Sequence, residues 1–160
     1  MPIESASITP VSDDETVFRA IADESQLFAI DAAGNLRLSG SAFNDRRKEP
    51  SVDRASMVEG AMASRKSESD GVVCLVTGEV RSVKSVVTLD AKQRPICAHQ
   101  VDIVHDPVEN NSAHSVVRTA PTAASESAFR RLKEALCLLA NKAGWMYPPA
   151  SRRPPSASLR

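Results

Sequence analysis

The stretch from Ser125 to Gly144 constrains this chain more than any other. Phe129, Leu132, Leu136, Leu139, Ala140 and Ala143 recur at helical spacing, while Arg130, Arg131, Lys133, Glu134 and Lys142 fall on the other side. Ser125 can cap the start by accepting a hydrogen bond from an otherwise orphaned N–H. Gly144 can end the helix in the left-handed conformation. An apolar stripe of that length has to be covered, so the pattern predicts a helix over 125–143 laid across a second layer.

The second layer reads as a sheet. Thr16–Ile21 and Gln26–Ile30 read as strands, and Leu36–Leu38 resumes the alternation after a turn at Asp31–Asn35. Gly71–Thr77 is a continuous β-branched run bounded by Gly71 and Gly78, the pattern of a strand buried on both faces. Ser85–Asp90 and Ile96–His105 read as a hairpin across Ala91–Pro95, and His114–Arg118 as one more short strand. Ser51–Met57, running on to Met62, reads as one weak helix, after a long loop from Ser39 to Pro50. The expected fold class is α+β: a mostly antiparallel sheet of five to six strands with one long C-terminal amphipathic helix packed on it.

Composition agrees with a single globular body. The 160 residues are one domain's worth of chain. Hydrophobic residues at 42% and charged residues at 25% sit near the globular average. Aromatics at 4% are sparse, so the core must rest on Val, Leu, Ile, Ala and Met. The expected organisation is a flexible leader over 1–12, a single α+β domain over 13–147 and a disordered Pro/Arg tail over 148–160. The tail carries Pro148, Pro149, Pro154 and Pro155 with Arg152, Arg153 and Arg160 and no acid.

Twenty basic and twenty acidic residues give a net charge of zero, which removes any global attraction to nucleic acid or an anionic membrane. The zero hides an asymmetry. Residues 1–25 hold six acids against one base, and residues 118–160 hold eight bases against two acids. The plainer reading is two solvated ends that attract each other. The sharper one is a basic face, with Arg130, Arg131, Arg152 and Arg153, for an acidic partner. No apolar stretch approaches bilayer length, Met1–Ser5 lacks the marks of a signal peptide, and three scattered cysteines favour a reducing compartment. These readings place the chain in the cytoplasm.

All three histidines, His99, His105 and His114, fall within sixteen residues. Strand alternation puts His99, Val101, Ile103 and His105 on one face. With Asp106 and Glu109 from the following loop, His105 and His114 could supply a catalytic acid, base and orienting carboxylate. Against this, Asp106-Pro107 and Asn110-Asn111 are ordinary turn chemistry. No metal site is expected: Cys97 and His99 form one close pair without a second. Cys74 and Cys137 read as small core hydrophobes, and no cofactor is implied. Arg46 and Arg47, joined by Arg54, could hold a phosphate, although the loop has no phosphate-binding glycine pattern and also reads as plain solvated charge. Phe43 and Val52 read as its anchors to the core. No base-stacking platform emerges from the scattered aromatics, so nucleic-acid binding has little support.

Three stretches carry a likeness: Leu38–Phe43 running to Pro50–Ala55, Asp106–His114, and the helix end Ala143-Gly144-Trp145-Met146-Tyr147. Across residues 17–147 the chain resembles small bacterial proteins of uncharacterised function from mobile-element and conflict-system gene neighbourhoods, with a longer segment between Val83 and Val101. The resemblance implies a bacterial cytosolic accessory protein whose partner is another protein of the same operon, and it assigns no catalytic residue. The expected function is a non-enzymatic, immunity-type interaction module. The rival is a small hydrolase or transferase acting on a nucleotide or phosphate ester through Arg46, Arg54, His105 and His114. An enzyme should gather the 39–54 and 105–114 loops around one pocket, whereas an interaction module should show an exposed apolar patch.

Overall fold

A computed structural model of the chain describes residues 9–154. Its strands are β1 (Thr16–Ile21), β2 (Phe28–Ile30), β3 (Leu36–Leu38), β4 (Ser51–Arg54), β5 (Gly71–Val76), β6 (Val87–Leu89), β7 (Pro95–Ala98), β8 (Gln100–His105), β9 (His114–Ala120) and β10 (Trp145–Tyr147). Two α-helices complete it, α1 (Thr77–Arg81) and α2 (Glu126–Ala143). Six strands form one sheet in the order β10-β5-β1-β4-β9-β8, antiparallel at each pairing. The hairpins β2–β3 and β6–β7 stand outside it. The fold is α+β, with α2 laid across one face of the sheet.

Period-two alternation sorts the sheet into two unequal cores. Val17, Ile21, Val52, Val73, Leu75, Val101, Ile103 and Val117 face α2 and pack with its Phe129, Leu132 and Leu136. The opposite face has a smaller core of Phe18, Val72 and Cys74, covered by Ala55, Val58, Ala61 and Tyr147. β5 is buried from Gly71 to Leu75 because both cores use it, as its unbroken apolar run predicts. The Ser125 hydroxyl caps α2 by accepting from the Ala128 N–H at 3.1 Å, and Gly144 leaves it at φ 72°. Each Leu or Phe that α2 buries contributes about 1.5–3 kcal/mol. Gly71 is required for a different reason: a Cβ there would lie 2.6 Å from the Trp145 ring and 2.8 Å from Pro149.

The sequence reading needs four corrections. Residues 51–62 are not one weak helix: Ser51–Arg54 is the strand β4, followed by separate 3-10 turns at Ala55–Met57 and Ala61–Ser64. The second arm of the hairpin ends at Ala98: His99, buried and bonded through its N–H to Val86 O, is its last contact with the first arm, and β8 then joins the large sheet. In the leader, residues 1–8 lie outside the described residues, but Thr9–Ser12 lie against the domain, with Val11 buried in the main core. The tail is docked as far as Arg153. Pro149 is buried, a 3-10 turn spans Ala150–Arg152, and Arg153 donates to the carbonyls of Pro148, Glu68 and Asp70.

Candidate functional site

His105 and His114 are separated by the sheet. His105 pairs with Ser115, so its neighbour His114 emerges on the opposite face. His105 points to the α2 side, is buried, and uses both ring nitrogens: Nδ1 accepts from the Thr9 N–H at 3.1 Å and Nε2 donates to Ser112 O at 2.8 Å. This arrangement fixes one tautomer and leaves no lone pair for a substrate. Arg54 shares that face and is also buried. Its Nε and Nη2 hold the Glu15 carboxylate at 2.5 and 2.8 Å, Nη1 donates to Thr9 O and Oγ1, and Nη2 also reaches Pro10 O. All five guanidinium N–H groups are used. The Arg54 hydrogen bonds hold the Glu15 carboxyl below its ordinary range, against the opposing effect of burial. Together Arg54 and His105 pin residues 9–15 across the sheet.

On the far face, His114 forms a different cluster. Its Nδ1 donates to Asp106 O at 2.7 Å and lies 3.5 Å from the Asp106 carboxylate, while Nε2 accepts from Ser51 Oγ at 3.2 Å. Asp53, directly across the ladder, accepts from the Asn111 side chain at 2.7 Å. Ser64 and Lys66 close the cleft above them. β4 sets Ser51 beside β9, so its hydroxyl meets the His114 ring, whose other nitrogen bonds the Asp106 backbone carbonyl rather than its carboxylate. The cavity itself measures about 20 Å³, space for about one water molecule. Glu109, the other acid proposed from sequence, is exposed and away from this cluster.

The phosphate-binding set is also dispersed. Arg46 and Arg47 are exposed on a turn organised by Asp45, whose Oδ2 accepts from the Arg47 and Glu49 N–H groups. Arg54 is committed to Glu15. The 39–48 loop is held down by Phe43, fully buried as its sequence reading predicts. It is held as well by Arg19, which sequence reasoning missed. From β1, Arg19 donates to the carbonyls of Ala42, Asn44 and Ser51 and stacks on Phe43 at 5.5 Å. Only partners 23 to 32 residues away reveal that role.

The cysteines are free. Burial raises the thiols of Cys74 and Cys137, the latter to about 11, and Cys137 Sγ points to Ser39 O. His99 is buried between Thr88 and the Pro121 carbonyl. Among the described residues no three His, Cys, Asp or Glu side chains converge as metal ligands would.

The four interaction arginines do not make one basic face. Arg130 borders the 44–48 loop, Arg131 lies across α2 beside Val83–Ser85, Arg152 sits by Asp23, and Arg153 stacks on Tyr147 at 4.6 Å. Among the described residues no ion pair joins the two charged ends. Asp13 and Glu15 are taken by the mid-chain arginines Arg81 and Arg54, and Asp23 meets the C-terminal segment through Ser151.

An open concavity flanked mainly by apolar side chains lies along α2. Val83, Ala135, Leu138 and Leu139 form its apolar surface, with Lys84, Ser85, Arg131 and Glu134 around them, bordering an open space of about 560 Å³. Leu138 is 66% exposed in mid-helix, beside the fully buried Leu136 and the buried Cys137. Among the described residues no helix is long and apolar enough to cross a membrane. Comparison of the chain with protein-family models, curated proteins and solved structures gives no match.

Proposed function

We propose that this chain is a non-enzymatic, accessory or immunity-type interaction module that binds protein through the outer side of α2. The carrying observation is the apolar groove at Val83, Ala135, Leu138 and Leu139, with an exposed leucine at its rim. Exposed apolar clusters rimmed by polar groups are a usual form of protein-binding surface. Further support comes from what the polar residues are doing. His105 and Arg54 hold the N-terminal segment, and His114 faces the other way into a one-water cavity. The phosphate-ester reading therefore lacks a shared pocket for Arg46, Arg54, His105 and His114. The resemblance adds a bacterial cytoplasmic setting and an operon-encoded partner to this proposal.

Co-expression of the tagged full chain with the products of its neighbouring genes tests it. Loss of the complex with Leu138→Arg, and its retention when Arg46 and Arg47 are both changed to Ala, is the expected pattern. A complex indifferent to Leu138, or phosphate-ester turnover that disappears with His114→Ala, overturns the proposal.

A further inference from the structure

The polar groups around the His114 cleft do not balance among themselves. Ser64 is 6% exposed, and among the described residues its Oγ has no hydrogen-bond partner. A hydroxyl enclosed in that way forfeits its hydration, so native proteins seldom leave one alone. Ser64 lines the cleft of about 20 Å³ together with Ser51, Asp53 and His114. The cleft has a cause in the sheet. β1 and β4 pair at Val17–Arg54 and Phe18–Asp53, and the pairing stops there although both strands run on. Past that point Ser51 O accepts from the Arg19 guanidinium at 2.9 Å, and the parted strands border the gap.

A second observation concerns the segment that carries Ser64. Residues 58–66 cover the smaller core through Val58 and Ala61, yet every hydrogen bond described for them stays within residues 55–70. Among the described residues no direct hydrogen bond ties this segment to β4 or β9.

We infer that the cleft is the binding site of one water molecule, and that this water is the polar tie between the 3-10 turn Ala61–Ser64 and the sheet. The count of donors and acceptors closes around it. The Ser51 hydroxyl donates its hydrogen to His114 Nε2 and keeps its lone pairs. Asp53 accepts from the Asn111 amide with one oxygen and keeps the other. The water accepts from the Ser64 O–H and donates to Ser51 Oγ and to the second Asp53 oxygen, and about three bonds are usual for buried water. Charge disfavours the other occupants of that size. Arg19 and Lys66 in the lining oppose a bare cation, and the Asp53 carboxylate opposes a halide.

A crystal structure of the full chain, at a resolution that shows ordered water, tests this. The expected result is a single peak within hydrogen-bond reach of Ser64 Oγ and of Ser51 Oγ or Asp53. It should refine as water and give no anomalous signal after soaking in rubidium or bromide. Ser64→Ala should remove the peak and lower the melting temperature by about 3 °C, the size of one lost hydrogen bond in a chain of this length. The inference is overturned by wild-type density without the peak, by an anomalous ion in its place, or by a peak that persists unmoved in Ser64→Ala. A melting temperature indifferent to that substitution overturns the tie as well.

Discussion

Arg54 lies inside the domain although arginine seldom does, and the reason is local: Glu15 neutralises it, and two backbone carbonyls and the Thr9 hydroxyl complete its donors. Removing one member of such a pair leaves the other charged and enclosed, which costs about 3–5 kcal/mol. Arg54→Ala should therefore lower the melting temperature by about 10 °C in a chain of this size, a shift that calorimetry would register. The pair also has a pH signature. Glu15 titrates lower in the folded chain than unfolded, so its contribution is fully present above the unfolded carboxyl's range near pH 4. It is lost as pH falls through the lower, folded value. Wild type should lose stability through that acid window, and Glu15→Gln should flatten the loss, as read from denaturant midpoints between neutral and acid pH.

At the scale of elements, α2 offers a sharp contrast within three residues. Leu136 is fully buried and Leu138 is 66% exposed. Leu136→Asp should unfold or aggregate the protein, whereas Leu138→Asp should change stability by no more than about 0.5 kcal/mol in thermal melts. This helix was legible in the sequence because eighteen residues repeat one period and both ends carry caps. β5 was legible from its apolar run. β4 was not, and the cause is physical: its inward positions are Val52 and Arg54, so one half of the alternation signal is a charged residue whose partner lies 39 residues away. β10 and α1 are three and five residues long, too short to show a period. The site suffered in the same way. Alternation placed His105 correctly beside Val101 and Ile103, but only the pairing of β8 with β9 shows that His114 must face away.

For the whole molecule, the C-terminal segment is a structural part rather than a free arm. Pro149 and the Trp145 ring rest on the bare backbone of Gly71, and Tyr147 is held between Arg65 and Arg153 at 5.1 and 4.6 Å. Deleting residues 148–160 should therefore lower the melting temperature by several degrees, by stripping cover from β5 and from the smaller core. An unchanged melt would show that this segment contributes nothing to the domain. The position of β10 has a consequence for how the molecule is born. Among the described residues, the sheet's outer rung beside β5 is filled by a strand synthesised after all the others, and the helix that seals the main core comes only just before it. A nascent chain halted before Trp145 carries an unpaired, wholly apolar ladder open to any neighbouring strand. Ribosome stalling or premature termination in this region should thus yield aggregates rather than shortened but functional protein.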